Sequence, residues 1–191
     1  MNNSDKRADI MQAAMELIAE HGFHGAPMAD IARKAGVSAG TIYHYFASRD
    51  ALIVESQNEL TDKVRAAILE GYSVNMPVRE RFFKIIKGTL KYFITHHTHF
   101  RFSEQYFNSP YGTSRRREYS LGNSDSQSIL MATLKDGIDQ KILKDLPVMV
   151  LFSLSTGPMS SLIRDHISGF ITLDDAMIEH TAKACWDAIK R

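Results

Sequence analysis

The chain has 191 residues, 44% of them hydrophobic and 24% charged, with a net charge of +1. That length suits one domain, or a small domain joined to a larger one, and the apolar share is enough for a sizeable core. No apolar run approaches the ~18 residues that span a bilayer, a single cysteine excludes an internal disulfide, and the near-neutral charge gives a nucleic-acid partner no bulk support. The first thirty residues are polar and then amphipathic, unlike a signal peptide, so the expected location is cytoplasmic, without a membrane partner.

Apolar residues recur at helical spacing almost throughout, and this predicts an all-α fold. Ile10, Ala13, Ala14, Leu17, Ile18 and His21 share one face of a first helix that Gly22 ends in a left-handed cap. Met28, Ile31, Ala32 and Ala35 repeat the pattern in a shorter helix, with Pro27 as its first residue and Gly36 closing it. Ser38 is a good N-cap for a third helix, its hydroxyl accepting from the N–H of Gly40 or Thr41, with Ile42 and Phe46 on the buried side. Ser48 or Asp50 starts a long helix that fades near Gly71, and Pro77 opens another with Phe82, Ile85, Ile86, Thr89, Leu90 and Phe93 inward. A polar and aromatic region follows from about His96 to Asn123, read as a short helix and then a loop over Asn108–Gly112. Further helices are expected over Ser124–Gln140 and Pro147–Ser168, and a capping box at Thr172-Leu173-Asp174-Asp175 introduces a last one that runs to Arg191.

The second and third helices, joined by Gly36-Val37-Ser38, form a helix-turn-helix whose short turn forces a steep crossing. With Ile31, Ala35, Val37, Ile42 and Phe46 filling that crossing, the opposite face of the third helix carries Thr41, His44 and Tyr45, with Tyr43 at its edge. Ala39 and Gly40 leave its first turn slender, so it can come close to base edges, and its free N–H groups can approach phosphate. Thr41 offers a hydroxyl and a methyl to a base edge, and Tyr43, His44 and Arg49 can each donate to phosphate oxygen. The same geometry also serves as plain packing inside enzymes.

The stretch Ala29–Leu52, ADIARKAGVSAGTIYHYFASRDAL, resembles the DNA-binding signature of the TetR (tetracycline-repressor-like) family. With the upstream helix and Gly22-Phe23 the resemblance spans roughly residues 6 to 55. It implies an N-terminal three-helix helix-turn-helix DNA-binding domain over 1–50 and a helical effector-binding and dimerisation domain over 51–191. By the resemblance, the helix headed by Ser38 enters the major groove. Thr41 then contacts bases, Ala39 and Gly40 lie at close approach, and Tyr43, His44 and Arg49 hold phosphates, with Tyr45 either a further backbone contact or a packing residue. The chain departs from the family at Ala26, where Thr is common, and at Ala39 and Ala47, where basic residues are common. Fewer phosphate contacts, and a gentler dependence on salt, are expected.

The resemblance also implies a homodimer on a palindromic operator. The last helix carries two apolar stripes, one through Met177, Thr181 and Cys185 and one through Trp186, and small residues in Pro147–Ser168 lie beside Met159, Leu162 and Ile163. The expected interface is therefore Ser155, Met159, Leu162, Ile163, Met177, Thr181, Cys185 and Trp186, in a four-helix bundle; the alternative is that this whole surface is intramolecular core. The aromatic middle of the chain points to a pocket for a small, largely apolar effector. Its candidates are Phe82, Ile86, Phe93, Phe102, Glu104, Tyr106, Phe107, Tyr111 and Phe152, against the alternative that the aromatics only fill core. No cofactor and no metal are expected, since His96, His97 and His99 place only two imidazoles on one helical face. The expected function is a transcriptional repressor released by a ligand. Its rivals are a regulator controlled by a protein partner, and a helical enzyme, for which no phosphate loop or nucleophile motif is present.

Overall fold

The computed structural model describes residues 3–120 and 128–191, with side chains described over 6–118 and 128–191. Among the described residues there are ten helices and no strand: α1 Asn3–His21, α2 Met28–Lys34, α3 Ala39–Tyr45, α4 Arg49–Leu69, α5 Val78–Thr95, α6 His97–Phe107, α7 Pro110–Ser120, α8 Ile129–Asp139, α9 Val148–Ile167 and α10 Asp175–Ile189. The all-α fold read from the periodicity is the one observed.

Two compact units form. The first comprises Met1–Asp62 and His96–Glu118; the second comprises Lys63–Thr95 and Tyr119–Arg191. In the first unit α1, α2 and α3 close over a core of Ile10, Met11, Ala13, Ala14, Ile31, Ala32, Ile42, Phe46 and Leu52. Each large side chain buried there contributes about 1.5–3 kcal/mol by leaving water. α1 and α2 stop where glycine takes the left-handed region, at Gly22 (φ 68°) and Gly36 (φ 66°), which turns the chain sharply enough to pack α1 and two short helices around one core. α6 packs along α1, with Phe100, Phe102, Ser103 and Tyr106 buried.

The second unit packs α5, α8, α9 and α10 together. Phe82 and Ile86 of α5 are fully buried, and the Phe82 ring lies 5.4 Å from that of Trp186. Arg81 is buried with them and pairs its guanidinium with Asp136 at 2.7 Å.

The helix ends show where the sequence reading needed correction. The predicted loop over Asn108–Gly112 shrinks to Asn108 and Ser109, and Pro110 opens α7 instead. Proline fits a first helical turn, where its missing N–H has no partner to lose. Gly112 is required rather than disruptive, since a Cβ there would sit 2.5 Å from the Cα and the carbonyl oxygen of Phe107. Pro27 is the residue before α2, not its first helical residue. α10 is capped by Asp174, which accepts from the Met177 N–H at 2.8 Å, rather than by Thr172. α8 is capped by Ser128 and begins at Ile129; residues 124–127 of the helix expected there lie outside the described residues.

Candidate nucleic-acid interface

α3 is a seven-residue helix, too short to persist alone, and its order comes from its cap and its buried face. Ser38 takes extended backbone angles and its Oγ accepts from the Thr41 N–H at 3.1 Å. The Ser38 and Thr41 hydroxyls also share a hydrogen bond of 2.9 Å. Ile42 and Phe46 are buried beneath the helix.

The opposite side is open. Ser38, Ala39, Gly40, Tyr43 and His44 are exposed, and Thr41 and Tyr45 are half-buried. Tyr43 is 56% exposed, so its ring and hydroxyl are available to a partner. The His44 ring meets the Tyr45 ring edge-on at 5.4 Å, and Tyr45 also packs against the core beneath. A Cβ on Gly40 would find only Ser38 Oγ, at 3.7 Å, so the first turn of α3 presents bare backbone. Such a surface admits a groove edge or a phosphate to within contact distance of the helix N–H groups.

The basic side chains around the motif are engaged within the chain. Arg49 is half-buried and donates to the carbonyls of Phe23 and, at 3.4 Å, Ala26. Arg33 pairs with Asp30 at 2.7 Å and Lys34 with Glu16 at 2.9 Å. The Glu16 carboxyl is held below the usual range by a hydrogen bond from Gln12 and then by the Lys34 ammonium. Arg7 pairs with Glu55 and lies over the Phe46 ring.

The family profile described as "Bacterial regulatory proteins, tetR family" matches residues 10–55, and that described as "Tetracyclin repressor-like, C-terminal domain" matches residues 77–190. The chain belongs to the TetR family of bacterial regulatory proteins. A TetR-family protein from Vibrio parahaemolyticus is 30% identical, with a TM-score of 0.74 over 97% of this chain and 99% of that one. A TetR-family transcription regulator from Marinobacter aquaeolei VT8 shares the fold, with a TM-score of 0.83 at 23% identity over 98% of this chain and 97% of that one. The HTH-type transcriptional regulator BetI of Escherichia coli (strain K12 / DH10B) is 41% identical over 66 residues, 35% of this chain. That match spans about a third of BetI, 34% of its length. These relatives are transcriptional regulators, not enzymes, as the sequence reading expected.

The predicted effector residues of this TetR-family chain divide between the two units. In the second, Phe82 and Ile86 are fully buried, and Phe93 and Phe152 are half-buried. In the first, Phe102 and Tyr106 are buried, and Glu104, Phe107 and Tyr111 are half-buried. Tyr106 and Tyr111 line a groove of about 570 Å³ with Asp50, Ala51, Val54, Pro110, Ser114, Arg115 and Glu118. Ser56 and Gln57 did not figure in the sequence reading, yet both are buried, and Ser56 Oγ and Gln57 Oε1 have no hydrogen-bond partner among the described residues. The signal was present: they fall on the inward phase Leu52, Ile53, Ser56, Gln57, Leu60 of α4, where a polar side chain is costly unless satisfied.

Of the predicted interface residues, Ser155, Met159, Ile163, Thr181, Cys185 and Trp186 are buried within the chain, Leu162 is half-buried and Met177 is 45% exposed. Burial pushes the Cys185 thiol up. The outward stripe of α9 is instead Val150, Ser153, Leu154, Gly157, Pro158 and Ser161, at i, i+3, i+4, i+7, i+8 and i+11. On α10, which packs beside α9, Met177, His180 and Ala184 are exposed. Both stripes are small or apolar apart from His180. The sequence shows two faces on each helix, and only the packing tells which one turns inward.

His96 and His99 stack their rings at 5.4 Å, and no group of three His, Cys, Asp or Glu side chains among the described residues could hold a metal. No helix of the described chain is long and apolar enough to cross a membrane.

Proposed function

We propose that the chain is a homodimeric repressor that binds a palindromic operator through α3 and leaves it when a small, largely apolar ligand binds. The observation that carries the DNA-reading role is the open, glycine-bearing first turn of α3, capped by Ser38 and backed by buried Ile42 and Phe46. In this reading Ala39 and Gly40 lie against the groove edge and Thr41 meets bases. Tyr43 and His44 donate to phosphate, and Tyr45 supports the helix from below. Residues 1–50 read DNA, and residues 51–191 bind the effector and dimerise. The outward stripes of α9 and α10, with Leu154, Gly157, Pro158 and Met177, support a face that pairs with its twofold copy. Two such copies set their α3 helices ~34–36 Å apart, one turn of DNA.

The orphaned Ser56 Oγ and Gln57 Oε1 support a ligand that brings at least one hydrogen-bond donor into an otherwise apolar setting. A gel shift with the DNA flanking the gene, repeated across a metabolite panel, tests the whole reading. Retarded DNA that one compound releases is the expected result, and Gln57→Leu should blunt that release while retaining the shift. A chain that binds random and flanking DNA alike defeats the operator assignment. Operator binding that no compound alters defeats the effector assignment.

A further inference from the structure

In the first unit Tyr111 joins several elements beside the α2–α3 pair. Tyr111, in the first turn of α7, donates its hydroxyl to Asp50 Oδ1 at 2.5 Å. Its ring stacks on Tyr106 with centroids 5.9 Å apart and planes 18° apart, and meets the Phe23 ring at 5.5 Å. The Phe23 carbonyl in turn accepts from Arg49, whose guanidinium also reaches the Ala26 carbonyl at 3.4 Å. One phenol therefore touches both the first turn of α4 and the turn that leads from α1 into α2. Burial, and then the Asp50 carboxylate, push the Tyr111 hydroxyl up to about 12, so it stays protonated and donating at any pH near neutrality.

The partners come from different parts of the chain. Phe23, Arg49 and Asp50 fall within residues 10–55, matched by the N-terminal profile, whereas Tyr106 and Tyr111 fall within 77–190, matched by the C-terminal one. The contacts of Tyr111 thus join the DNA-reading segment to the segment that carries α6 and α7. Ring packing fixes where the phenol sits, since Tyr106 beneath it is buried. The hydrogen bond fixes where Asp50, and with it the start of α4, sits relative to the turn carrying Phe23 and Ala26. The α2–α3 pair hangs between that turn and α4, so its aim at DNA depends on both.

We infer that Tyr111 is a positioning residue for operator recognition: by clasping Asp50 and Phe23 it holds the helix-turn-helix in the orientation that fits specific DNA. This rests on the DNA-reading role proposed for α3. Because the Tyr111–Asp50 bond is exposed and water competes for both groups, the effect belongs at the low end of site-to-site coupling, about fivefold.

The test compares the full chain with Tyr111→Phe, Asp50→Ala and the double variant. Each is titrated by fluorescence anisotropy against a duplex selected in vitro by the wild-type protein and against an unselected duplex, with Tm recorded for each. Tyr111→Phe keeps both ring contacts and removes only the hydroxyl. It is expected to lower the selected-to-unselected affinity ratio by about fivefold, with Tm little changed, and the double variant should show no further loss beyond Asp50→Ala. A general loss of fold would depress both affinities together and leave their ratio intact, and that result overturns the clasp. So does a Tyr111→Phe ratio equal to that of the wild type. Wild-type protein that selects no duplex from a random pool overturns the reading of α3 itself, a failure distinct from the other two.

Discussion

Gly40→Ala separates folding from recognition, because the backbone of α3 and its proposed DNA-reading role give the two effects opposite signs. Gly40 sits in the first turn of α3 with ordinary helical backbone, not in the left-handed region that Gly22 and Gly36 occupy. Its added methyl meets only Ser38 Oγ at 3.7 Å, an ordinary separation, so no strain opposes the substitution. Alanine in place of glycine gains up to ~1 kcal/mol in a helix interior, and about half of that is reasonable one position inside the N-terminus. For a chain of this size the gain corresponds to a Tm rise of roughly 1–2 °C. The same methyl projects from the surface proposed to lie against the groove edge. If it displaces one base contact, operator affinity falls about tenfold, or ~1.4 kcal/mol. Urea unfolding gives the first quantity, and anisotropy titration of a selected operator gives the second. A Gly40→Ala variant that is more stable and binds the operator as tightly as wild type would refute the close approach of α3 to DNA.

Ala47→Lys restores a cation where the family commonly has one, at an exposed position. The slope of log affinity against log salt should steepen by about 0.9 for each additional phosphate the protein neutralises, and an unchanged slope counts against a phosphate near residue 47. If the proposed dimer pairs through the outward stripe of α9, Leu154→Asp should convert it to monomer in sedimentation at micromolar concentration while leaving Tm within a few degrees. A buried unpaired carboxylate costs about 3–5 kcal/mol at an interface, whereas an outward one on a monomer costs little. Persistence of the dimer would move the interface elsewhere. Asp187 lies 2.8 Å from Lys183 and 2.6 Å from Lys190, and hydrogen bonds from these two ammonium groups hold its carboxyl down to about 2. A depressed carboxylate contributes stability that is fully present above its unfolded value and is lost as pH falls toward the folded one. The Tm of Asp187→Asn should therefore fall less steeply than that of wild type between about pH 4 and pH 2; superimposable curves refute the assignment.

Helix starts and stops were legible wherever one residue's own chemistry decides them. Ser38 caps α3, Gly22 and Gly36 adopt positive φ, and Ser48 caps α4 by accepting from the Ala51 N–H at 3.0 Å. The reading missed where a distant neighbour decides. Gly112 looks like a loop residue until the Phe107 backbone beneath it is known. Thr172 and Asp174 are both good caps, and nothing local says that Asp174 takes the role. The motif residues of α3 stood out because a short, polar, glycine-bearing helix has few structural uses. The inward face of α9 and α10 did not stand out, because a helix with two apolar stripes leaves that choice to its neighbours. Thr181, Cys185 and Trp186 went inward, and Met177 did not.

Charge around the motif bears on which residues can serve DNA. The Arg33–Asp30 and Lys34–Glu16 pairs are exposed or half-exposed, where water and salt screen the attraction, so a phosphate can draw either cation away at little cost. Arg49 is different. Arg49 is half-buried and donates to the Phe23 and Ala26 carbonyls in the turn before α2; moving it to a phosphate would leave Phe23 only its 3.4 Å bond from the Ala26 N–H and would take away the Ala26 carbonyl's donor. The phosphate role that family resemblance implies for Arg49 therefore competes with a structural one. The structural role also ties the start of α4 to the turn that leads into α2. Ala26 lies in the same turn, fully buried and with no hydroxyl to offer in place of the family's threonine. The turn is thus held from the protein side, by Arg49 and by the Phe23–Tyr111 packing. On the proposed reading, recognition that depends less on phosphate should depend more on the fit of α3 itself, and the small residues of its first turn should then carry a larger share of specificity than the net charge of +1 would suggest.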